Sequence, residues 1–222
     1  MIFSAQGAEI DSMRGAMVKS VYKLNRKKGE CGMFTLPEGY QEELIAEIRR
    51  IDPVVFDHCI RILLDAYRNN RQVFIAGNGG SAATANHFVC DFGKNATRSD
   101  RRRFRILSVC DNIAKVTAIA NDISFDEVFR HQLGNLMQPD DVLIVISASG
   151  NSPDVVNACE YAKQIGAHII ALSGRGGGKI CEYAETSFIT SLYAYERIED
   201  LHLSILHMIV CWFAAHQEEL DA

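Results

Sequence analysis

Two short apolar runs, residues 73–76 and 142–146, each stop at a small turn and pass directly into a helical pattern. The first turn reads Gly77-Asn78-Gly79-Gly80-Ser81-Ala82, the second Ser147-Ala148-Ser149-Gly150-Asn151-Ser152-Pro153. Runs this short and apolar suit strands buried on both faces, and a strand followed at once by a helix is the repeating unit of a parallel sheet. The rest of the chain keeps the alternation. Strands are expected at residues 104–109, 168–173 and 186–190, with helices at 80–92, 113–120, 126–136, 153–166, 178–183 and 196–218. Residues 41–69 carry a helical period that restarts at Asp52-Pro53, with Asp as N-cap and Pro in the first turn. The expected fold class is α/β, a three-layer sandwich with a five-stranded parallel sheet between helices, preceded by an N-terminal helical segment.

In such sheets ligands bind beyond the C-terminal ends of the strands. Both glycine- and serine-rich turns belong there. Convergent backbone N–H groups and a helix N-terminus favour an anion. The first turn lacks the GxGxxG spacing of a dinucleotide fold and the Gly-Lys-Ser/Thr ending of a P-loop. The second offers three hydroxyls, Ser147, Ser149 and Ser152, within six residues. Ser152 is placed to cap the helix that Pro153 opens. With no Lys or Arg in that turn, a monophosphate held by dipoles and hydroxyls fits better than a triphosphate with magnesium.

Composition bounds the remaining classes. The chain has 222 residues, enough for a large core, with 48% hydrophobic and 23% charged residues. Its net charge of −5 disfavours non-specific nucleic-acid binding, and the basic run at 98–105 reads as a solvated loop. Seven cysteines without a CxxC pair argue against a disulfide framework and for a reducing, cytoplasmic setting. Glu9 and Asp11 interrupt the N-terminal stretch, and no membrane-length apolar stretch of ~20 residues is evident. Residues 1–39 mix Gly, Ser, Lys and Arg with weak periodicity and read as an extension before a domain at 40–222.

Chemistry-bearing side chains recur at helical spacing. His87 and Asp91 are i, i+4 on the helix launched by the first turn. Glu199 and His207 are i, i+8 on the last helix, with His202 competing for the same side. Two imidazoles and two carboxylates could hold a divalent metal such as zinc, or serve as acid and base without one. They could also be ordinary helical neighbours.

The Gly77-to-Ala82 string with His87 downstream, Asn121-Asp122, Ser147-x-Ser149-Gly150-Asn151-Ser152, Gly177-Gly178-Lys179 and Arg197-Ile198-Glu199-Asp200-Leu201-His202 resembles the sugar isomerase (SIS) domain. The resemblance runs from about Tyr40 to the C-terminus and is nearest to the phosphoheptose isomerases. It implies a flavodoxin-like sheet and an aldose–ketose isomerase converting sedoheptulose 7-phosphate to D-glycero-D-manno-heptose 7-phosphate through an enediol. The family's phosphate grip falls on Ser147, Ser149 and Ser152 with Ser81 nearby, its sugar contacts on Asn78, Gly79 and Gly80 and its Asn-Asp pair on Asn121 and Asp122, and Ala148 counts among the substrate-binding positions. Its zinc ligands fall on His87, Asp91, Glu199 and His207, with Asp91 and Glu199 also facing substrate and Asp91 and His207 as the acid/base pair. A homotetramer with sites at subunit interfaces is implied, and neither nucleic acid nor membrane is expected as a partner. Asp91 and Glu199 stand where the family has Glu and Gln, and Asn95, beside Lys94, stands where some members carry a basic residue. Two other readings use the same turns: an isomerase of another ketose phosphate, and a non-catalytic sugar-phosphate sensor or adaptor.

Overall fold

Alternation within the strands decides the layering. In β1 (Gln72–Gly77), Val73 and Ile75 point to one face and Phe74 and Ala76 to the other, and all four are buried. The computed structural model describes residues 36–221. The expected N-terminal extension therefore lies outside the described residues except for 36–39, as does Cys31. The chain divides into two units, Met1–Glu43 and Leu44–Ala222. The described part of the first is a turn with Gly39 at φ +70 and the opening of helix α1 (Tyr40–Arg49).

In the second unit, α2 (Pro53–Arg68) starts where the sequence predicts. The Asp52 carboxylate accepts the Val54 N–H at 2.8 Å, and Pro53 fills the first turn. Then follow β1, α3 (Gly80–Asn95), β2 (Arg105–Ser108), α4 (Ile113–Asp122), a 3-10 turn (Phe125–Glu127), α5 (Val128–Leu136), β3 (Val142–Ser147), α6 (Pro153–Ile165), β4 (His168–Ser173), α7 (Ile180–Tyr183), β5 (Thr186–Ile189) and α8 (Tyr195–Ala215). The expected helix at 126–136 begins instead as the 3-10 turn.

All five strands pair in parallel, in the order β2-β1-β3-β4-β5. One face packs on α2, α3 and α8 through Leu63, Phe88, Phe92, Ile205 and Phe213. The other packs on α4, α5 and α6 through Ile119, Leu133, Val155 and Cys159. This is the expected three-layer architecture. The order reverses between β1 and β3, so the crevice beyond their C-terminal ends is the place where such sheets bind ligands.

The run at 98–105 is a largely exposed loop, as expected, with its arginines also anchored. Arg101 pairs with Asp221 at 2.5 Å, Arg102 lies over the Tyr67 ring, and Arg103 donates to the Lys94 and Thr97 carbonyls at the end of α3. One expectation needs correction: α8, at 21 residues, is long and apolar enough to cross a membrane by length and composition. Its apolar stripe, Ile198, Leu201, Ile205, Leu206, Ile209 and Phe213, is instead buried in the core. Of the six described cysteines, Cys59 and Cys159 are fully buried, and burial pushes both thiols up to about 12.

Candidate active site

Helices α3 and α8 lie side by side and run in the same direction. The Glu199 carboxylate meets the start of α3, Phe92 stacks edge-on against Phe213 at 5.4 Å, and Gln217 donates to the Ala96 carbonyl at 2.9 Å. Each helix buries an apolar stripe, and the polar positions at the stripe's border are thereby pressed together. His87 and Asp91 occupy that border on α3, and His207 occupies it on α8.

The result is a tight triangle. Asp91 Oδ2 lies 3.2 Å from His87 Nε2 and 3.4 Å from His207 Nε2, and the two imidazole nitrogens are 3.4 Å apart. The rings meet edge to face with centroids 5.0 Å apart. Tetrahedral zinc with ~2.0–2.1 Å bonds needs donor atoms about 3.3–3.4 Å apart, so these three residues fit one face of such a site. They leave a further position open, the arrangement of catalytic rather than structural zinc. Both histidines remain nearly half exposed, so the cluster opens to one side.

Glu199 stands apart from this group. It lies eight residues before His207, about 12 Å along the helix axis. Its carboxylate covers Gly80, the first residue of α3, where any side chain would collide with it. Burial, then repulsion from Glu196 and Asp200, pushes this carboxyl above its ordinary range. The helix N-terminus beneath it acts in the opposite direction. Spacing alone put Glu199 and His207 on one side of α8; it carried no information about the two turns between them. His202, the competitor, turns inward. It is 1% exposed, and the backbone of Ser173 is the polar group that acts on its ring. Burial drives it down to about 4, so it is neutral near pH 7.

The β3 turn is built to present donors. The buried Ser147 Oγ accepts the Gly150 N–H at 3.1 Å, and Ser149 Oγ accepts the Asn151 N–H at 3.2 Å. A hydroxyl that accepts from the backbone keeps its O–H as a donor, the polarity a phosphate oxygen requires. Ser152 sits at the N-cap of α6 as expected, but its hydroxyl makes no cap hydrogen bond. Ala148, between the serines, is buried. The turn is braced from behind. Gly150 has φ +64, and a Cβ there would lie 2.7 Å from both the Gly177 carbonyl and Ser173 Oγ. Gly150 O and Asn151 Oδ1 accept the N–H groups of Ile180 and Lys179, each at 3.1 Å. This ties the Gly177-Gly178-Lys179 string to the second turn.

On the β1 side, Ser81 is buried in the first turn of α3, while Gly79 and Gly80 are exposed. Asn78 donates through Nδ2 to Asp154 Oδ2 at 2.7 Å. Asp154, 1% exposed in the first turn of α6, was not singled out by sequence reading. An acidic residue in a helix first turn looks like an ordinary dipole partner, and only the tertiary fold reveals that it is buried between the two turns. Asn121 and Asp122 close α4 and bond to each other at 2.8 Å; among the described residues no hydrogen bond or ion pair joins them to the His/Asp cluster. Lys94 and Asn95 are exposed at the end of α3.

Strand order and a hydroxyl-rich turn at the switch point define an α/β protein whose candidate site is the crevice beyond β1 and β3, with the imidazole–carboxylate cluster on the helix that leaves β1 and on the last helix. The chain belongs to the SIS domain family, whose signature matches residues 40–174. It is 38% identical over 155 residues to the phosphoheptose isomerase of Bordetella avium, covering 68% of this chain and 77% of that protein. It is 37% identical over 144 residues to a probable phosphoheptose isomerase of Thermoplasma acidophilum, covering 65% and 79%. The structure of a phosphoheptose isomerase from Neisseria gonorrhoeae superposes with a TM-score of 0.73 at 28% identity, over 80% of this chain and 96% of that one.

Proposed function

We propose that this protein is an aldose–ketose isomerase of a heptose phosphate, interconverting sedoheptulose 7-phosphate and D-glycero-D-manno-heptose 7-phosphate. The observation that carries the reading is the convergence of His87, Asp91 and His207 in a chain related to phosphoheptose isomerases and carrying a phosphate-type turn after β3. Isomerisation moves a proton between C1 and C2 through an enediol. It needs a base, an acid and stabilisation of charge on oxygen.

Ser147, Ser149 and Ser152, with the backbone at Ala148, grip the phosphate. Asn78, Gly79, Gly80 and Ser81 line the sugar, and Glu199 faces it from above Gly80. Asn121 and Asp122 contact substrate only if a neighbouring subunit brings its own site to them. With no metal bound, Asp91 and His207 form the acid/base pair. Asp91 turns Oδ2 toward both imidazoles, which leaves Oδ1 to carry the proton. A divalent ion, zinc by donor chemistry, would be held by His87, Asp91 and His207 and would polarise the substrate oxygens. Because a ligating Nε2 has no lone pair for a proton, Asp91 rather than His207 then serves as the base.

We place the enzyme in the cytoplasm as a homotetramer. Free thiols support the first. The open side of the His/Asp cluster and the exposed Ile113, Ile123 and Phe125 support the second. The test is a panel of C5, C6 and C7 ketose phosphates, assayed with and without added zinc. Turnover is expected to be greatest with the C7 substrate. Preference for a shorter ketose would reassign the substrate, and a folded protein that turns over none of them would refute the isomerase reading.

A further inference from the structure

Asp154 is the one carboxylate buried between the two ligand turns among the described residues, and the proposed reaction gives it no role. It leaves the start of α6, directly after the serine turn, and reaches across the switch point to the β1 turn. There Oδ2 accepts Nδ2 of Asn78 at 2.7 Å. Burial pushes the Asp154 carboxyl above its ordinary range, while the Asn78 amide and the first-turn N–H groups of Val155 and Asp154 favour its charged form. It is 1% exposed, so a partner lost on either side would not be replaced by water.

The chemistry of the pair fixes an orientation. A charged carboxylate only accepts, so it selects the NH₂ end of the Asn78 amide. The opposite end, Oδ1, is thereby turned away from Asp154. Asn78 is half-buried at the mouth of the β1 turn, beside Gly79 and Gly80. We infer that Asp154 is a positioning residue: it locks the Asn78 amide so that Oδ1 faces the crevice as an acceptor for a sugar hydroxyl, and it sets the β1 turn at a fixed distance from the phosphate turn. Selectivity for sugar length follows from that distance. The inference rests on the sugar-phosphate reading above.

The informative substitution is Asp154→Asn. The new amide must keep its oxygen toward the helix N–H groups, so it offers NH₂ to Asn78. Asn78 then flips and shows Nδ2 to the substrate. The side chain stays isosteric and paired, so the fold is retained. The test measures KM for sedoheptulose 7-phosphate and the inhibition constant of inorganic phosphate, for wild type, Asp154→Asn, Asn78→Ala and the double variant. Thermal unfolding is followed alongside.

Asp154→Asn is expected to raise KM about tenfold, the loss of one hydrogen bond, with an unchanged melting temperature. Phosphate inhibition should hold within about twofold, because the serine turn is untouched. The double variant should be no worse than Asn78→Ala alone, because both substitutions remove the same interaction. An unchanged KM in Asp154→Asn, or effects of the two substitutions that multiply, would overturn the inference. Absence of wild-type turnover would instead strike the isomerase reading, and phosphate binding with the unfolding curves would still report on the turns.

Discussion

In the proposed reaction three side chains carry the chemistry, and each is partly exposed. His87 and His207 are nearly half exposed and Asp91 about one quarter, so replacing them leaves the core intact. Asp91→Asn and His207→Ala are each expected to lower kcat about 10²–10⁴-fold, the range of a lost general acid or base, with unchanged far-ultraviolet circular dichroism. Retention of full activity by either would remove it from the mechanism. Gly80→Ala places a methyl where the Glu199 carboxylate now lies. That carboxylate is the far end of a flexible, partly exposed side chain that can swing aside, so the change should cost under about 1 kcal/mol in urea unfolding. Combining it with Glu199→Ala should restore most of that loss. His202 governs acid stability. Its folded value of about 4 lies below its unfolded value of 6.5, so between these the unfolded chain binds the extra proton. Its contribution is complete above the unfolded value and is lost as pH falls through that window, on the order of 3 kcal/mol in all. His202→Leu should flatten the pH dependence of the unfolding midpoint across that window.

At the scale of elements, the strand–turn–helix units hold the site in register. Gly150 combines φ +64 with contact to the Gly177 carbonyl, Ser173 Oγ and Gly178 Cα. Gly150→Ala should therefore cost about 1–3 kcal/mol and raise KM for the sugar phosphate, because the serine turn loses its brace. Equal stability and KM would show that the brace is unimportant. Much of this level was legible from residues. The short apolar runs placed every strand, with β4 at its observed ends, and Asp52-Pro53 located the start of α2. Local chemistry suffices for these features, because a buried strand or a capped helix is written in neighbouring residues. The His87–Asp91 pair was legible for the same reason. Its meeting with His207 was implied only by the family resemblance, since spacing along one helix carries no information on how α3 and α8 pack. The stand of Glu199 over Gly80 was not legible, nor was Asp154 beneath Asn78. Those are contacts between elements 76 or more positions apart, and side-chain spacing on one helix carries no trace of them.

At the scale of the whole molecule, the sheet order brings two turns to one crevice, and the surface leaves that crevice open. The proposed tetramer would cover the exposed Ile113, Ile123 and Phe125. Light scattering after gel filtration should give the mass of four 24.7 kDa chains. A monomer with full turnover would show that one chain completes the site. The central claim is proton transfer at a heptose phosphate, and deuterium reports it directly. Sedoheptulose 7-phosphate is incubated with the zinc-supplemented protein in D₂O and followed by NMR. The account predicts the aldose product with deuterium incorporated at C2, and loss of both signals in Asp91→Asn. Unchanged ketose with no deuterium uptake, from folded wild-type protein, would contradict it.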